Sequence, residues 1–321
     1  MAWDYVLYGL RVRSDLELDA EPGTSHDSDV RLVLESSGSA AVRRPEGNVL
    51  AEYGDDERGF WIVETAAEYK LGISALLEAC IDRDFTRIRI APAASAPPDV
   101  VSTFAQGAIL GTLLTLRGAC VLHASAVEID GRGVAFLGPS GCGKSMLAAL
   151  CCAAGGRLLT DDLLLLRDTP DELFGQRGTT RLRLRQSSAD LAVLLAADSR
   201  PTADDRVAVS APVAPAEVPV DAILLPERTS GDCLELVRLP AAGAAISIIS
   251  HPRIPGWWAP RFVASSFHHA ARVARATPVY ALRVPQEGRT PQALAAVVRE
   301  ALHAGTTHAL EPQAKRARSR D

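Results

Sequence analysis

The residues with the clearest chemistry form one glycine-rich segment that ends in a lysine and a serine. Its members are Gly138, Pro139, Ser140, Gly141, Cys142, Gly143, Lys144 and Ser145. The glycines permit a tight turn whose successive backbone N–H groups can hydrogen-bond phosphate oxygens. In the pattern GxxxxGKS the lysine reaches the β- and γ-phosphates and the serine hydroxyl binds Mg²⁺. The segment therefore predicts a phosphate-binding loop for a nucleotide, with Lys144 also catalytic and Ser145 a metal ligand.

Two adjacent acids, Asp161 and Asp162, follow the next apolar run, Arg157–Thr160. In α/β sheets ligands bind beyond the carboxyl ends of the strands, so both acids are predicted to face the glycine-rich loop. One would hold Mg²⁺ through water, and the other would accept the proton of an attacking hydroxyl. Adjacent side chains of an extended segment point to opposite faces, which separates the two roles without assigning them. The alternative for the pair is a helix cap or a solvated turn.

A histidine, His123, lies in the otherwise apolar run 120–129, and Ser125 shares its face. An Asp-Gly pair after this run indicates a tight turn, and residues 133–137 are predicted as the returning strand of a hairpin. Because the returning strand leads into the glycine-rich loop, the imidazole is predicted to lie near the phosphates and the acid pair. There it would tune a carboxylate or hold the γ-phosphate in a catalytic role. A core histidine with no role in the site is the alternative.

Three arginines, Arg181, Arg183 and Arg185, alternate along a predicted strand whose polar face is entirely basic. Such a face is either simply solvated or a recognition strip for an acidic or phosphorylated substrate. Residues 174–180, just before the strand, are rich in glycine and polar residues and are predicted to form a mobile substrate loop.

The order of strand, loop, helix and strand around these motifs predicts an α/β nucleotide-binding core. Residues 1–95 contain short β-rich runs separated by turn-forming residues, which indicates an antiparallel, β-rich N-terminal subdomain. Prolines in 91–98 predict a linker. The predicted division is therefore a β-rich subdomain at 1–95, a P-loop kinase domain at 99–303 and a disordered basic tail at 304–321. Within the second unit we expect helices at 99–116, 261–276 and 291–302 and strands at 220–225 and 279–284.

The bulk composition limits the partners of the chain. With 321 residues, 47% hydrophobic and 23% charged, it can bury a sizeable core, and its net charge of −5 argues against general binding to nucleic acid or to an anionic membrane. We find no apolar run of the roughly 18 residues that a membrane span needs. The six cysteines show no CxxC spacing, which indicates a reducing compartment. The sequence therefore predicts a cytoplasmic protein without a nucleic-acid or membrane partner.

Together, these motifs resemble the HPr serine kinase/phosphorylase superfamily. The likeness rests on residues 122–127 with His123, on the hairpin, on the loop at 138–145 and on residues 158–162 with the acid pair. It implies a P-loop core of the type shared with phosphoenolpyruvate carboxykinase. It also implies that Asp161 is the base, that Asp162 and Ser145 contact Mg²⁺, that Lys144 binds phosphate and that His123 partners the acid pair.

The resemblance is to one divergent branch of that superfamily, and it does not include every motif of the HPr kinases. The Gly-rich signature with an arginine that follows the acid pair in HPr kinases has only a faint echo here, at Phe174-Gly175. The run Tyr8–Ser14 looks like divergent HPr-kinase-like proteins of peptide natural-product pathways. That branch includes lasso-peptide kinases, which phosphorylate the C-terminal serine of a precursor peptide. The family likeness is also compatible with a homo-oligomer.

The leading hypothesis is an ATP- and Mg²⁺-dependent kinase that transfers the γ-phosphoryl group to a hydroxyl. Its expected acceptor is a serine in a ribosomally made, lasso-type precursor peptide, bound with help from the N-terminal subdomain. The alternatives are an HPr-like protein serine kinase and a regulatory protein that binds ATP without transferring phosphate. Carboxykinase chemistry ranks last, because its additional metal and oxaloacetate ligands are not found in the sequence.

Overall fold

The computed structural model describes residues 2–317 except 25–26, 37–43, 55–58, 74, 170–171, 196 and 286–289, and from residue 305 onward it describes the backbone alone. Within these residues the fold is mixed α/β, with two nine-stranded sheets and a small third sheet. The predicted α/β class is therefore correct.

The first sheet, which we call the N-terminal sheet, takes its nine strands from the first 92 residues. They are β1 (Trp3–Leu7), β2 (Leu10–Ser14), β3 (Glu21–Pro22), β4 (Val30–Leu34), β5 (Asn48–Tyr53), β6 (Phe60–Glu64), β7 (Glu68–Ile73), β8 (Leu77–Asp82) and β9 (Arg87–Pro92). Their order is β3-β1-β2-β4-β9-β8-β7-β6-β5. The prediction of a purely antiparallel sheet is wrong, because β4 runs parallel to both β2 and β9. The meander β5–β8 lies between β4 and β9 in the chain, so β9 returns beside β4 in the same direction.

A long helical stretch connects the two large sheets. It consists of α1 (Pro98–Phe104), a π-helical turn (Ala105–Ile109) and α2 (Leu110–Leu116). This 19-residue stretch is apolar and long enough to cross a membrane, contrary to the sequence-based expectation, yet 61% of its apolar window is buried inside the protein. It packs in one core with the N-terminal sheet and with Leu163 and Leu165. Asp99, in the first turn, binds the N–H of Ala203 and caps no helix.

The remaining strands and helices follow in chain order. They are β10 (Cys120–Leu122), β11 (Ala124–Ile129), β12 (Arg132–Leu137), α3 (Lys144–Ala153), β13 (Arg157–Thr160), β14 (Leu164–Asp168), β15 (Leu173–Gln176), β16 (Arg181–Arg185), a 3-10 turn (Gln186–Ser188), α4 (Leu191–Leu194), β17 (Ser199–Thr202), β18 (Arg206–Ser210), β19 (Glu217–Thr229), β20 (Glu235–Arg238), α5 (Ala241–Ile249), α6 (Pro260–Ala276), β21 (Val279–Pro285) and α7 (Pro291–Ala317). The second large sheet has the order β10-β14-β15-β19-β12-β11-β13, with β21 paired to β19 and β20 to β21. Helices α3 and α7 share one core against it, and α5 and α6 share another.

The run 120–129, predicted as one strand, is divided at His123. Strand β10 pairs with β14, whereas β11 pairs with β12 and β13. The backbone N–H of His123 donates to the carbonyl of His251, 3.2 Å away, instead of to a strand of the same sheet. The chain therefore changes neighbours at the histidine.

The last helix is longer than its predicted end at Leu302. It continues to Ala317 and so passes through most of the range 304–321 that was predicted as a disordered tail. The prediction relied on the absence of apolar periodicity in this segment. Its alanine, glutamine, lysine and arginine residues, however, all have high helix propensity. Residues 318–321 lie outside the described residues.

A loop after α5 attaches the second sheet to the N-terminal sheet. Trp258 donates its backbone N–H to Leu50 and its indole N–H to the carbonyl of Val49, the latter at 2.8 Å. Glu52 donates to Gly256, which has φ of 76°. A side chain on Gly256 would collide with the Glu52 backbone, so the loop reaches the sheet edge only because this residue is glycine.

We predict that Gly256→Ala destabilises the protein through this close approach. Gly118→Ala is the matched control, because Gly118 has a similar φ of 80° but no atom within 4 Å of an added Cβ. The control should lose about 1 kcal/mol of unfolding free energy and Gly256→Ala about 3 kcal/mol, since only the second adds a clash to the backbone strain. Urea denaturation of both variants measures the difference. Equal losses would show that the loop can move away from the sheet.

Candidate functional site

The glycine-rich loop lies between β12 and α3, as the sequence predicts. Gly143 adopts a left-handed φ of 103° and caps α3, whose first residue is Lys144. The first N–H groups of a helix have no partner within the helix, so they are available to an anion at this end. Lys144 is buried, and its Nζ donates to the carbonyls of Gly138 and Pro139 at 2.8 and 2.9 Å. Burial lowers the pKa of its ammonium group.

The two acids occupy a tight turn rather than an extended segment. The N–H of Leu163 donates to the carbonyl of Asp161 across a single residue, Asp162, which has φ of 73°. A hydrogen bond between residues i and i+2 defines a γ-turn. When the central residue has a positive φ, as Asp162 does, the turn is the rarer, strained form. Strain of this kind is kept where surrounding contacts hold it, and it concentrates at functional sites. The predicted divergence of the two carboxylates is present, but this turn produces it.

The first carboxylate points toward the loop. Asp161 is 3% exposed, and its Oδ1 accepts hydrogen bonds from the hydroxyls of Ser145 and Ser125 at 2.8 and 2.5 Å. Its Oδ2 accepts the backbone N–H of Arg183 at 2.9 Å. Asp161 therefore joins the loop, strand β11 and strand β16 at one point.

The second carboxylate has a different set of partners, a histidine and an arginine. Asp162 lies 3.2 Å from Nδ1 of His123 and 2.5 Å from Nη2 of Arg253. Burial alone would raise the pKa of Asp162, but the charge of Arg253 and the hydrogen bond of His123 outweigh it, so the pKa lies below its usual range. Asp162 is therefore ionised at neutral pH.

Arg253 is the site residue that sequence reasoning missed. It lies 91 positions beyond Asp162 in the chain. The preceding residue, Pro252, forms an isolated β-bridge with Leu122. Glycine at position 107, within the π-helical turn, leaves room for Arg253, because a Cβ there would stand 2.7 Å from its guanidinium and 3.1 Å from Asp162. Turns of this kind are frequent at functional sites. The only local signal is a lone arginine between prolines in an apolar loop.

The three alternating arginines do not form one basic strip. Arg181 forms ion pairs with Asp19 and Asp198, and Arg183 forms one with Asp204. The guanidinium of Arg185 lies over the glycine-rich loop, 2.8 Å from the position of a Cβ on Gly141. The row is therefore divided between local ion pairs and the loop.

A small cleft, open to solvent, lies beside the two acids. It is lined on the N-terminal side by Tyr8 and Asp19 and on the opposite side by Asp161, Asp162 and Arg181. A second pocket is lined in part by Arg253 and Trp257, and no acidic residue among those the structure describes lines it. The cleft is therefore the space from which a second molecule can approach the acid pair.

The residues around the loop fit a nucleotide with Mg²⁺. Among the described residues, no group of three or more His, Cys, Asp or Glu side chains is placed to hold a metal ion. Mg²⁺ at nucleotides is bound by one or two carboxylates, phosphate oxygens and water, so the Ser145 hydroxyl and the Asp161 carboxylate suffice. The structure brings His123, Lys144, Ser145 and both acids together, and it places Ser145 beside Asp161 rather than beside Asp162.

Comparisons with known proteins add a distant structural likeness. No protein-family model and no curated protein matches the chain. Among matching solved structures is the HPr(Ser) kinase/phosphatase from Coxiella burnetii, with 14% sequence identity, a TM-score of 0.31 and coverage of 56% of this chain and 94% of that chain. Such a score carries no argument about individual residues. The assignment of a mixed α/β fold with large sheets therefore rests on the strands and helices described above.

We predict that Arg253→Met destabilises the metal-free protein, because Asp162 loses its ion pair with the guanidinium. The loss should be about 1–2 kcal/mol at pH 7, allowing for the partial exposure of the pair. Since the pKa of Asp162 is lowered in the folded state, this stabilisation is complete above its ordinary value of 3.8 and is lost as the pH falls through the folded pKa. Urea denaturation in EDTA at pH 7, 5 and 3 should show equal differences from wild type at the first two values and a smaller one at the third.

Arg299→Met is the control for the loss of an arginine, because Arg299 pairs with Asp130, an acid that is 67% exposed. It should cost less than about 0.5 kcal/mol at every pH. If Arg253→Met costs no more than the control, Asp162 is not held by Arg253.

Proposed function

We propose that this protein is an ATP- and Mg²⁺-dependent kinase that transfers the γ-phosphoryl group to a hydroxyl. The observation that carries the proposal is the different partners of the two acids beside one cleft, with Asp161 hydrogen-bonded to Ser145 of the loop and the more exposed Asp162 held by Arg253 and His123. A phosphate-binding loop alone accounts for nucleotide binding. A second ionised carboxylate facing an accessible cleft is what transfer to an acceptor requires.

The loop and the first acid would hold the nucleotide. Backbone N–H groups of the loop and Lys144 bind phosphate oxygens, and Arg185 stands close enough to the loop to add charge there. Ser145 and Asp161, already hydrogen-bonded to each other, provide the two protein ligands for Mg²⁺. When bound, the metal ion neutralises charge on the phosphates. Lys144 must release its two loop carbonyls to reach them.

The second acid would act on the acceptor. Asp162 orients the acceptor hydroxyl and takes its proton as the oxygen bonds to the γ-phosphorus and the bond to the bridging β–γ oxygen breaks, releasing ADP. His123 and Arg253 keep this carboxylate ionised and fixed in direction. This allocation exchanges the roles that the family resemblance implies for Asp161 and Asp162, and it follows which acid contacts Ser145.

The acceptor in this proposal is a serine of a peptide or protein. The likeness of Tyr8–Ser14 to peptide-modifying kinases supports a ribosomally made, lasso-type precursor peptide, and the similar solved structure is an HPr(Ser) kinase/phosphatase. An HPr-like protein is therefore the second candidate acceptor. A cytoplasmic setting belongs to the same proposal, because ATP is available there and all six cysteines are free thiols.

We predict that Lys144→Ala abolishes transfer. Wild-type protein with γ-³²P-labelled ATP and Mg²⁺ should label serine in a degenerate peptide library. Lys144→Ala should lower that rate by at least about 100-fold, because the loop loses its only buried cation for the phosphates. Lys70→Ala, on β7 and paired with Glu78, is the control and should transfer at the wild-type rate.

Two outcomes would overturn the proposal. Full transfer by Lys144→Ala would show that the loop is not the catalytic centre. Tight ATP binding by the wild type without labelling of any library peptide or of an HPr-like protein would identify a regulatory nucleotide-binding protein instead.

We predict that the two acids have separable roles. Asp161→Asn should raise the Mg²⁺ concentration needed for half-maximal rate by about tenfold, because it weakens a metal ligand. Asp162→Asn should lower kcat by about 10²- to 10⁴-fold at an unchanged Mg²⁺ requirement, because it removes the base. Magnesium titrations of both variants measure this. The opposite pattern would restore the allocation that the family resemblance implies.

A further inference from the structure

The N-terminal sheet places one side chain, Tyr8, in the cleft beside the acid pair. Leu7 pairs with Leu10, so Tyr8 and Gly9 alone form the turn between β1 and β2. Their φ values are 54° and 70°. Two-residue turns with positive φ at both positions favour asparagine, aspartate or glycine, and a bulky aromatic residue at such a φ is an outlier. The local turn chemistry therefore does not explain this tyrosine.

The hairpin tip is held against the segment that follows β15. The N–H of Tyr8 donates to the carbonyl of Arg177 at 2.7 Å. A Cβ on Gly178 would collide with both the tyrosine ring and the hydroxyl of Thr160. The ring thus fills a space that exists only because residue 178 is glycine, and Tyr8 is 2% exposed. Its position is set by packing on both sides.

The hydroxyl of this buried ring has no hydrogen-bond partner among the described residues. The Thr160 hydroxyl, which donates its proton to Leu163, lies near the ring but not in hydrogen-bond geometry with the phenol. Burial, followed by the negative charge of Asp162, raises the pKa of Tyr8, so the phenol stays protonated and its O–H is a donor without an acceptor. Buried polar groups are nearly always paired, and an exception calls for an explanation. Packing alone would be served as well by phenylalanine.

We propose that the Tyr8 hydroxyl donates a hydrogen bond to the acceptor hydroxyl oxygen of the phosphoryl-transfer reaction, so that the N-terminal sheet supplies part of the acceptor site. This inference rests on the proposed kinase function. It assigns the cleft between Tyr8 and Asp162 to a hydroxyl-bearing acceptor.

The geometry of a hydroxyl group accounts for both contacts. The acceptor oxygen gives its proton to Asp162, uses one lone pair to attack phosphorus and has a second lone pair to accept the Tyr8 O–H. The new O–P bond forms as the β–γ bridging bond breaks, and the proton ends on Asp162 while Tyr8 keeps its own. Tyr8 therefore aims the nucleophile without exchanging a proton.

The test compares Tyr8→Phe with Tyr280→Phe. Tyr280, on β21, also has a buried hydroxyl without a partner among the described residues, but it does not line the cleft. Thermal unfolding should show both variants at least as stable as the wild type, because each loses an unsatisfied buried donor. With γ-³²P-labelled ATP and the serine peptide library, Tyr8→Phe should lower kcat about tenfold or more at an unchanged KM for ATP, and Tyr280→Phe should match the wild type. ATP hydrolysis is measured in parallel, because water can occupy the acceptor position.

Each result decides the inference. A Tyr8→Phe variant with wild-type transfer and hydrolysis overturns it, as does an equal loss in both variants. If the wild type hydrolyses ATP but labels no peptide, the serine acceptor fails, and the hydrolysis rate of Tyr8→Phe, lowered or unchanged, supports or overturns the role of Tyr8. If the wild type binds ATP and does neither, both the kinase proposal and this inference are overturned.

Discussion

The left-handed backbone at Asp162 is the constraint on which the site depends. It turns the chain within one residue, so that two adjacent carboxylates serve two different sets of partners. Asp161 accepts hydrogen bonds from the hydroxyls of the loop and of β11, and Asp162 contacts His123 and Arg253. In a regular strand the two side chains would also point in opposite directions. The strand would then continue past the loop, whereas the turn at Asp162 reverses the chain and keeps both acids beside the loop.

Parts of the chain far apart in sequence hold this turn in place. The segment that carries Arg253 is attached at one end to β10 and at the other, through Trp258, to the edge of the N-terminal sheet. Glycine at position 107 lets the guanidinium approach Asp162 past the helix. The hairpin tip with Tyr8 packs against the strand end just before the acids. The N-terminal sheet is therefore linked to the acid pair in two places, through the Arg253 segment and through the hairpin tip. Loss of either contact would disturb the site.

Patterns within short stretches predicted much of this architecture. The loop lies between a strand and a helix, as GxxxxGKS with its flanking apolar runs indicates, because turn geometry and helix initiation are decided by neighbouring residues. The strands at β13, β19 and β21 and the helix α6 fall near their predicted positions for the same reason. The run through His123 was predicted wrongly, since its strand divides where a carbonyl 128 positions away competes for the backbone N–H of the histidine. The parallel pairing of β4 is likewise decided by the path of the chain between strands.

The sequence by itself predicted the residues that we propose for the chemistry: Lys144 and Ser145 in the loop, the acid pair and His123. Their types and spacing follow from what a phosphate, a metal ion and a proton each need. Only the tertiary structure decided which acid binds Ser145 and which binds His123 and Arg253, and only it added Arg253 and Tyr8. The contacts of Arg253 and Tyr8 join residues 91 or more positions apart and depend on close approaches at glycines, which no local pattern encodes because packing of the whole chain sets them.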